Sequence, residues 1–214
     1  LPRRYAVPSA TVKDMSAPPA VPLVTFAAAD APPRDRILAT AARLFYTEGI
    51  HAVGMDRIVT EASTTRATLY RHFLGKEQLV LSYIQATDEQ IRAFTTAALE
   101  GLGAREALAG VAGALGDQLC SPGFRGCPFL NAAAEYPDPA DPVSRAIVAH
   151  RDWLRGLVAR LLAEAGAPEA AEDAATLMML RDGAVMTAAL GDADAVRASL
   201  DRAVRHVLRS AGVG

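Results

Sequence analysis

The segment Met55-Asp56-Arg57-Ile58-Val59-Thr60-Glu61-Ala62-Ser63-Thr64-Thr65-Arg66-Ala67-Thr68-Leu69-Tyr70-Arg71-His72-Phe73, followed at once by Gly75-Lys76-Glu77, compresses two short helices and a tight turn into very little chain. A first helix from about Met55 to Ala62 turns Ile58 and Val59 inward, with Gly54 as its cap. Ser63 and Thr64 form the turn. The Thr65 hydroxyl is placed to cap the second helix by accepting from an amide near Thr68. On that helix Leu69 and Phe73 stand four apart on the buried side, which leaves Arg66, Ala67, Thr68, Tyr70, Arg71 and His72 outward or flanking. A short helix with arginines and aromatics on its free face fits the major groove of DNA. The competing reading is a three-helix piece of an α-helical core whose arginines merely solvate a surface.

Ahead of this unit lies an amphipathic helix carrying Ile37-Leu38, Ala41-Ala42 and Leu44-Phe45 and ending at Glu48-Gly49. Behind it come Leu69-Tyr70-Arg71-His72-Phe73 and Lys76-Glu77-Gln78-Leu79. In this order residues 35–79 resemble the N-terminal domain of the TetR family of bacterial transcriptional repressors. The resemblance implies an all-α fold of about nine helices, three of them in the DNA reader, and a cytoplasmic protein with no enzymatic role. It further implies a homodimer on a palindromic operator, released by a small-molecule effector. Matched residue by residue, Arg66 and Arg71 are expected at base edges, with Ala67 and Thr68 offering small apolar contact. Thr65, Tyr70, His72 and Lys76 are expected on phosphates. Two positions depart from the family pattern. Ser63-Thr64 stands where Gly-Val is usual, so Ser63 must tolerate the dihedral that the turn imposes. Gly54 replaces a hydroxyl cap that could have held a phosphate.

Charge is distributed accordingly. From Arg34 to Val80 seven Lys or Arg face five Asp or Glu, a net of +2, while residues 81–214 have twelve against seventeen, a net of −5. A positive field at the reader and an acidic body behind it suit a phosphate backbone on one side only. Residues 1–33, with three basic and two acidic side chains and seven prolines, read as an extended Pro/Ala-rich tail. Its longest apolar stretch, Val21 to Ala29, is interrupted by Pro22 and is far short of the ~20 residues that cross a bilayer, so no membrane partner is expected. With the resemblance, the chain is expected to divide into a tail (1–33), a helix-turn-helix domain (34–79) and a helical effector-binding and dimerisation domain (80–214).

Beyond Val80 one helical pattern follows another. Lys76 to Leu99 repeats apolar residues at Val80, Tyr83, Ile84, Ile91 and Phe94, and Gly101 and Gly103 break it. Further helices are expected over about Arg105–Leu119, from about Cys127-Pro128, over about Val143–Ala165, from Pro168 to Leu190, and from there to near Arg209. On the last two, Ala174, Leu177, Met178, Ala184, Val185 and Ala188 with Val196, Leu200, Ala203, Val204 and Val207 make broad apolar faces. Small alanines let helix axes approach closely. Either these faces close the monomer core or, as the resemblance implies, they build a four-helix bundle with a second copy.

The run Arg125-Gly126-Cys127-Pro128-Phe129-Leu130-Asn131-Ala132-Ala133-Ala134-Glu135 resembles a Gly-Cys-apolar-Asn-x-x-x-Glu motif of one subset of the family. Cys127, Asn131 and Glu135 recur every four residues along one helical stripe, with Cys127 in the first turn, where free amides and the helix dipole favour a thiolate. Two readings stand: a sensor or ligand site, or a small buried thiol beside a hydrogen-bond network. Phe124, Phe129, His150, Trp153, Met178 and Met186 join Cys127, Asn131 and Glu135 as candidate lining of an effector pocket, which would favour a small hydrophobic or aromatic ligand. A second functional reading is a thiol-based redox or electrophile sensor acting through Cys127, since Cys120 lies across a turn from it with six residues between. His51, His72, His150 and His206 are isolated, with no paired His or Cys ligand motif, so neither a metal nor a cofactor is expected.

Overall fold

Proline and glycine punctuate the chain, and the computed structural model, which describes residues 31–191, 193–210 and 212, follows that punctuation closely. Among the described residues there are nine helices and no strand: α1 Pro33–Glu48, α2 Met55–Glu61, α3 Arg66–His72, α4 Lys76–Leu99, α5 Ala104–Leu119, α6 Pro128–Glu135, α7 Pro142–Glu164, α8 Ala170–Leu190 and α9 Ala193–Ser210. The protein is all-α with an N-terminal helix-turn-helix. The expected tail lies almost wholly outside the described residues; its end supplies Pro33, the first residue of α1. No described helix is long and apolar enough to cross a membrane.

Local chemistry sets the helix ends. Pro128 and Pro142 open α6 and α7, where a missing amide proton costs no helical bond. The Asp141 carboxylate caps α7 by accepting from Val143 N at 2.7 Å. At the other end of α7, Gly166 takes φ +99°, and Gly166 N and Ala167 N donate back to the carbonyls of Ala163 and Leu162, both at 3.0 Å. That closure moves the start of the next helix. Pro168 was expected to open α8, but it lies in the turn, and helical bonding begins with Asp173 N to Glu169 O.

A continuous apolar core runs from the reader into the body. Ile37, Leu44 and Phe45 of α1 meet Ile58, Leu69 and Phe73, and Leu79, Val80, Tyr83 and Ile84 of α4 carry the same core onward to Leu119, Phe129, Val143 and Ile147. A second cluster around Leu108, Leu157, Leu162 and Ala174 joins α5, α7 and α8 at the far end. Helix α8 is apolar on two sides, which corrects the assignment of its faces. Ala174, Met178, Val185 and Ala188, expected to meet a second copy, are buried inside the chain, as is Leu200 of α9. The large exposed apolar residues of α8 are instead Met179, Met186 and Leu190, at i, i+7 and i+11, with Gly183 between them on the same stripe. Met179, Gly183 and Leu190, with Leu180, Ala195, Val196 and Ala203, border a shallow groove between α8 and α9.

Candidate functional site

Helices α2 and α3 place the reader's side chains as their spacing dictates. Thr65 Oγ1 accepts from Thr68 N at 3.1 Å, so the cap is spent on the helix itself, and Leu69 and Phe73 are fully buried. Ser63 adopts φ +47°, the left-handed conformation that a glycine would take more readily. Thr65, Arg66, Ala67, Tyr70 and Arg71 are exposed, while Thr68, His72 and Lys76 are half-buried. Arg66 is ion-paired with Asp56 of α2, so a base edge must compete with that carboxylate. Arg71 has no ion-pair or hydrogen-bond partner among the described residues. Lys76, in the first turn of α4, donates to the His51 carbonyl at 3.3 Å; partial burial lowers its pKa and the nearby Glu135 charge opposes that shift. Arg43, Arg57, Glu48 and Glu61 form a surface network that locks α1 against α2 and takes two arginines away from any phosphate.

The Gly126–Glu135 segment is the joint between reader and body. Glu135 Oε1 accepts from Ile50 N at 2.8 Å and Oε2 from His51 N at 2.6 Å, and His51 Nε2 lies 3.1 Å from the Glu135 carbonyl. At the other end of α6, the Tyr46 hydroxyl of α1 donates to the Gly126 carbonyl at 3.0 Å and accepts from Arg125 N at 2.8 Å. Asn131 Nδ2 donates to the Arg125 carbonyl at 2.9 Å, and Gly126 at φ +89° leaves its α-carbon open to the Asn131 amide. Asn131 and Glu135, expected in an effector pocket, therefore shape a loop and bind the backbone of the reader. Their stripe is real, but it faces the α1–α2 connection.

Between α4, α5, α7, α8, α9 and the start of α6 lies a cavity of about 210 Å³. Of the nine side chains expected to line a pocket, Cys127, Phe129, His150 and Met178 border it; Phe124, Trp153, Asn131, Glu135 and Met186 do not. Phe124 packs on the core, Trp153 lies beneath the Arg92 guanidinium at 4.6 Å, and Met186 is exposed on the outer stripe of α8. The remaining wall is mostly aliphatic, with Ile91 and Phe94 from α4, Val111 and Leu115 from α5, and Leu177 and Val204 from α8 and α9.

Polar groups gather at one part of this wall. The His150 ring stacks on Phe129 at 3.6 Å, nearly parallel, and its Nδ1 donates to Asp88 Oδ1 at 2.7 Å. Burial lowers the His150 pKa, outweighing the Asp88 hydrogen bond and charge that favour the cation, and Arg181 and Arg92 act in the same direction as burial. Arg181 Nη2 donates to Cys127 Sγ at 3.2 Å, and Nη1 to Asp182 Oδ1 at 2.8 Å. Asp182 Oδ2 also accepts from Arg151 Nη2 at 2.5 Å. Burial works against the Arg181 charge, but Cys127 and Asp182 outweigh it and hold the guanidinium protonated. Burial alone would raise the Asp182 carboxyl; the two arginines hold it below the usual range. Cys120 is half-buried, and burial together with Asp194 pushes its thiol up.

Two residues of the joint and the cavity escape a reading of motifs. Tyr46 follows the buried Leu44-Phe45 pair of α1 and looks like a flanking aromatic; only the return of the Arg125–Gly126 loop gives its hydroxyl a partner. Arg181 did leave a signal: it falls three residues after Met178 and four before Val185, a charge on an otherwise buried stripe.

Comparison with known proteins agrees with this architecture. The model for "Bacterial regulatory proteins, tetR family" matches residues 37–83. SCO4454, a TetR-family transcriptional regulator from Streptomyces coelicolor, superposes with a TM-score of 0.81 at 49% identity, covering 84% of this chain and 95% of that one. A TetR-type regulator from Streptomyces avermitilis gives a TM-score of 0.76 at 26% identity over 86% of this chain and all of the other. Among curated sequences, the HTH-type transcriptional regulator LmrA of Bacillus subtilis is 27% identical over 160 residues, 72% of this chain and 85% of the relative.

Proposed function

We propose, from the premise that the chain belongs to the TetR family of bacterial transcriptional regulators, that it is a ligand-responsive repressor. It binds a palindromic operator as a homodimer and leaves it when a small apolar molecule fills the cavity. The observation that carries the ligand response is the span of α6: its first turn, Cys127 to Phe129, is cavity wall, and its last residue, Glu135, holds two amides of the reader. A ligand that shifts the first turn therefore loads the joint directly, through a helix only eight residues long. Helix α4 offers a second route, with Lys76 in the reader and Ile91 and Phe94 at the cavity. Either displacement changes the separation of two readers that must match major grooves ~34 Å apart.

Reader roles follow the exposed face of α3: Arg66 and Arg71 at base edges beside Ala67 and Thr68, with Thr65, Tyr70, His72 and Lys76 against phosphates. The Thr65 contribution is reduced by its use as a cap. The dimer forms through α8 and α9, and the exposed Met179, Gly183, Met186 and Leu190 stripe supports that face. The Gly-Cys-apolar-Asn-x-x-x-Glu run supports assigning the chain to the subset of the family that bears it. A thiol sensor finds less support, because Cys127 is 4% exposed and its sulfur is engaged by Arg181. The test is to select bound operator from genomic fragments and then screen small molecules for release. Recovery of one palindromic site with a dimer footprint, freed by an apolar compound but not by peroxide, is the expected outcome. An asymmetric minimal site, or release by peroxide that a Cys127→Ser variant abolishes, would overturn it.

A further inference from the structure

We infer that the cavity selects a monoanionic amphiphile, an apolar body ending in one carboxylate, with the carboxylate seated against Arg181. The inference rests on the reading of the cavity as the effector site. Among the described residues, Arg181 supplies the only formal charge on the cavity border: no Asp or Glu lines it, and the other polar side chains there are Thr95, Gln118, Cys127 and His150. A single formal charge on a mostly apolar wall acts at low local dielectric, where it is felt most strongly.

The hydrogen-bond pattern leaves that charge incompletely matched. Arg181 and Arg151 share one carboxylate, Asp182, each taking one of its oxygens. Asp88, the carboxylate partner of the cavity-lining His150, is held by Arg92 through both oxygens at 2.8 Å and by His150 at 2.7 Å. The second arm of Arg181 is left with a thiol sulfur, a weak acceptor. Replacing the sulfur with a carboxylate oxygen turns a weak contact into a charge-assisted one and balances the second of two cations. A cationic ligand meets repulsion, and a neutral one leaves Arg181 as it was. The aliphatic wall formed by residues such as Ile91, Leu115 and Val204 takes the rest of the molecule.

The test compares matched acids and amides on the full-length chain by calorimetry: naphthoate against naphthamide, and decanoate against decanamide. The acid of each pair is expected to bind about tenfold or more tightly, the scale of one hydrogen bond to a charged partner. Arg181→Gln should erase that ratio, and Arg181→Lys should keep part of it. Should Arg181→Gln not fold, the wild-type ratio alone decides. Equal affinity of acid and amide, or a ratio that survives Arg181→Gln, overturns the inference. Leu177→Trp, which fills the cavity, separates the two levels. If acid and amide bind wild type equally and both are lost in Leu177→Trp, the cavity reading stands and the anion preference fails. If either binds Leu177→Trp as it binds wild type, or if no member of either pair binds at all, the cavity reading itself falls and the inference with it.

Discussion

Removing the Glu135 carboxylate is the most direct test of the joint between reader and body. In Glu135→Ala two acceptors vanish together: the His51 amide is exposed and finds water, but the amide of Ile50, a residue 2% exposed, does not. A hydrogen bond to a charged acceptor contributes about 1.5–3 kcal/mol, and the half-buried carboxylate places these two at the lower end. The expected loss is therefore about 2–4 kcal/mol, or a fall in Tm of roughly 5–15 °C for a chain of this size. Glu135→Gln should not be a mild replacement. Its carbonyl oxygen can serve one of the two amides, but its NH2 group then points a donor at the other, so at least half of the loss should persist. Thermal denaturation of the three proteins measures this. Operator affinity, read in parallel, should fall little, since no exposed α3 side chain is touched, whereas release by a cavity ligand should weaken because the load-bearing contact is gone. A Tm unchanged in both variants, or full ligand release in Glu135→Ala, would refute the role given to α6.

Four further outcomes are expected. Arg66→Ala should cost about 1–3 kcal/mol on the specific site and relax base preference, whereas Lys76→Ala should weaken specific and random DNA alike and lower the salt slope by about one; equal losses on random DNA would refute that division. Met186→Glu or Leu190→Glu should yield monomers in sedimentation, and both test the interface more cleanly than a charge at Val204, which would enter the cavity. Ser63→Gly should raise stability by about 0.5–1 kcal/mol in denaturant unfolding, because a left-handed residue with a side chain is strained by more than glycine's extra chain entropy offsets. His150 has a pKa depressed by burial, so the unfolded chain takes up the proton first: its stabilisation is present above pH ~6.5 and is lost as pH falls through the folded-state value, and His150→Gln should flatten the acid limb of a stability-against-pH curve.

Helix existence was legible because each helix has a local cause. Pro128 and Pro142 open helices, Gly49 and Gly166 end them, Thr65 and Asp141 cap them, and the four-residue spacing of Leu69 and Phe73 decides which side of α3 is free. What a helix's second face meets is a property of three-dimensional packing, and there the reading was weakest. Helix α8 shows the difficulty. It is apolar on two sides, so periodicity alone could not say that Met178 and Val185 close the core while Met179 and Met186 stay outside; neighbours in sequence, they lie about 100° apart around the helix. The start of α8 was misplaced for a related reason, since the closure of α7 draws Ala167 back to Leu162 and leaves Pro168 in the turn.

The Gly126–Glu135 run shows how spacing can reveal a stripe and leave its surroundings open: of its two readings, a ligand site or a buried thiol beside a hydrogen-bond network, the hydrogen bonds of Asn131 and Glu135 follow the second. Spacing put Cys127, Asn131 and Glu135 on one side of α6, and polar groups in line invited a ligand. The helix is short, however, and the reader returns to its far end, so that side meets different surroundings along its length: cavity and Arg181 at Cys127, its own loop at Asn131, reader amides at Glu135. No local rule carries that information, because Tyr46, Ile50 and His51 are about eighty residues away in sequence from the groups they bind. The physical consequence is more specific than a ligand stripe would have been. One eight-residue helix bears a cavity wall at its N-terminus and a bidentate backbone acceptor at its C-terminus, so a displacement at the first arrives at the second within two turns of hydrogen-bonded backbone. A helix so short has little room to bend and dissipate the shift, which is why Glu135, and not a cavity residue, is the position where ligand response and operator affinity should separate.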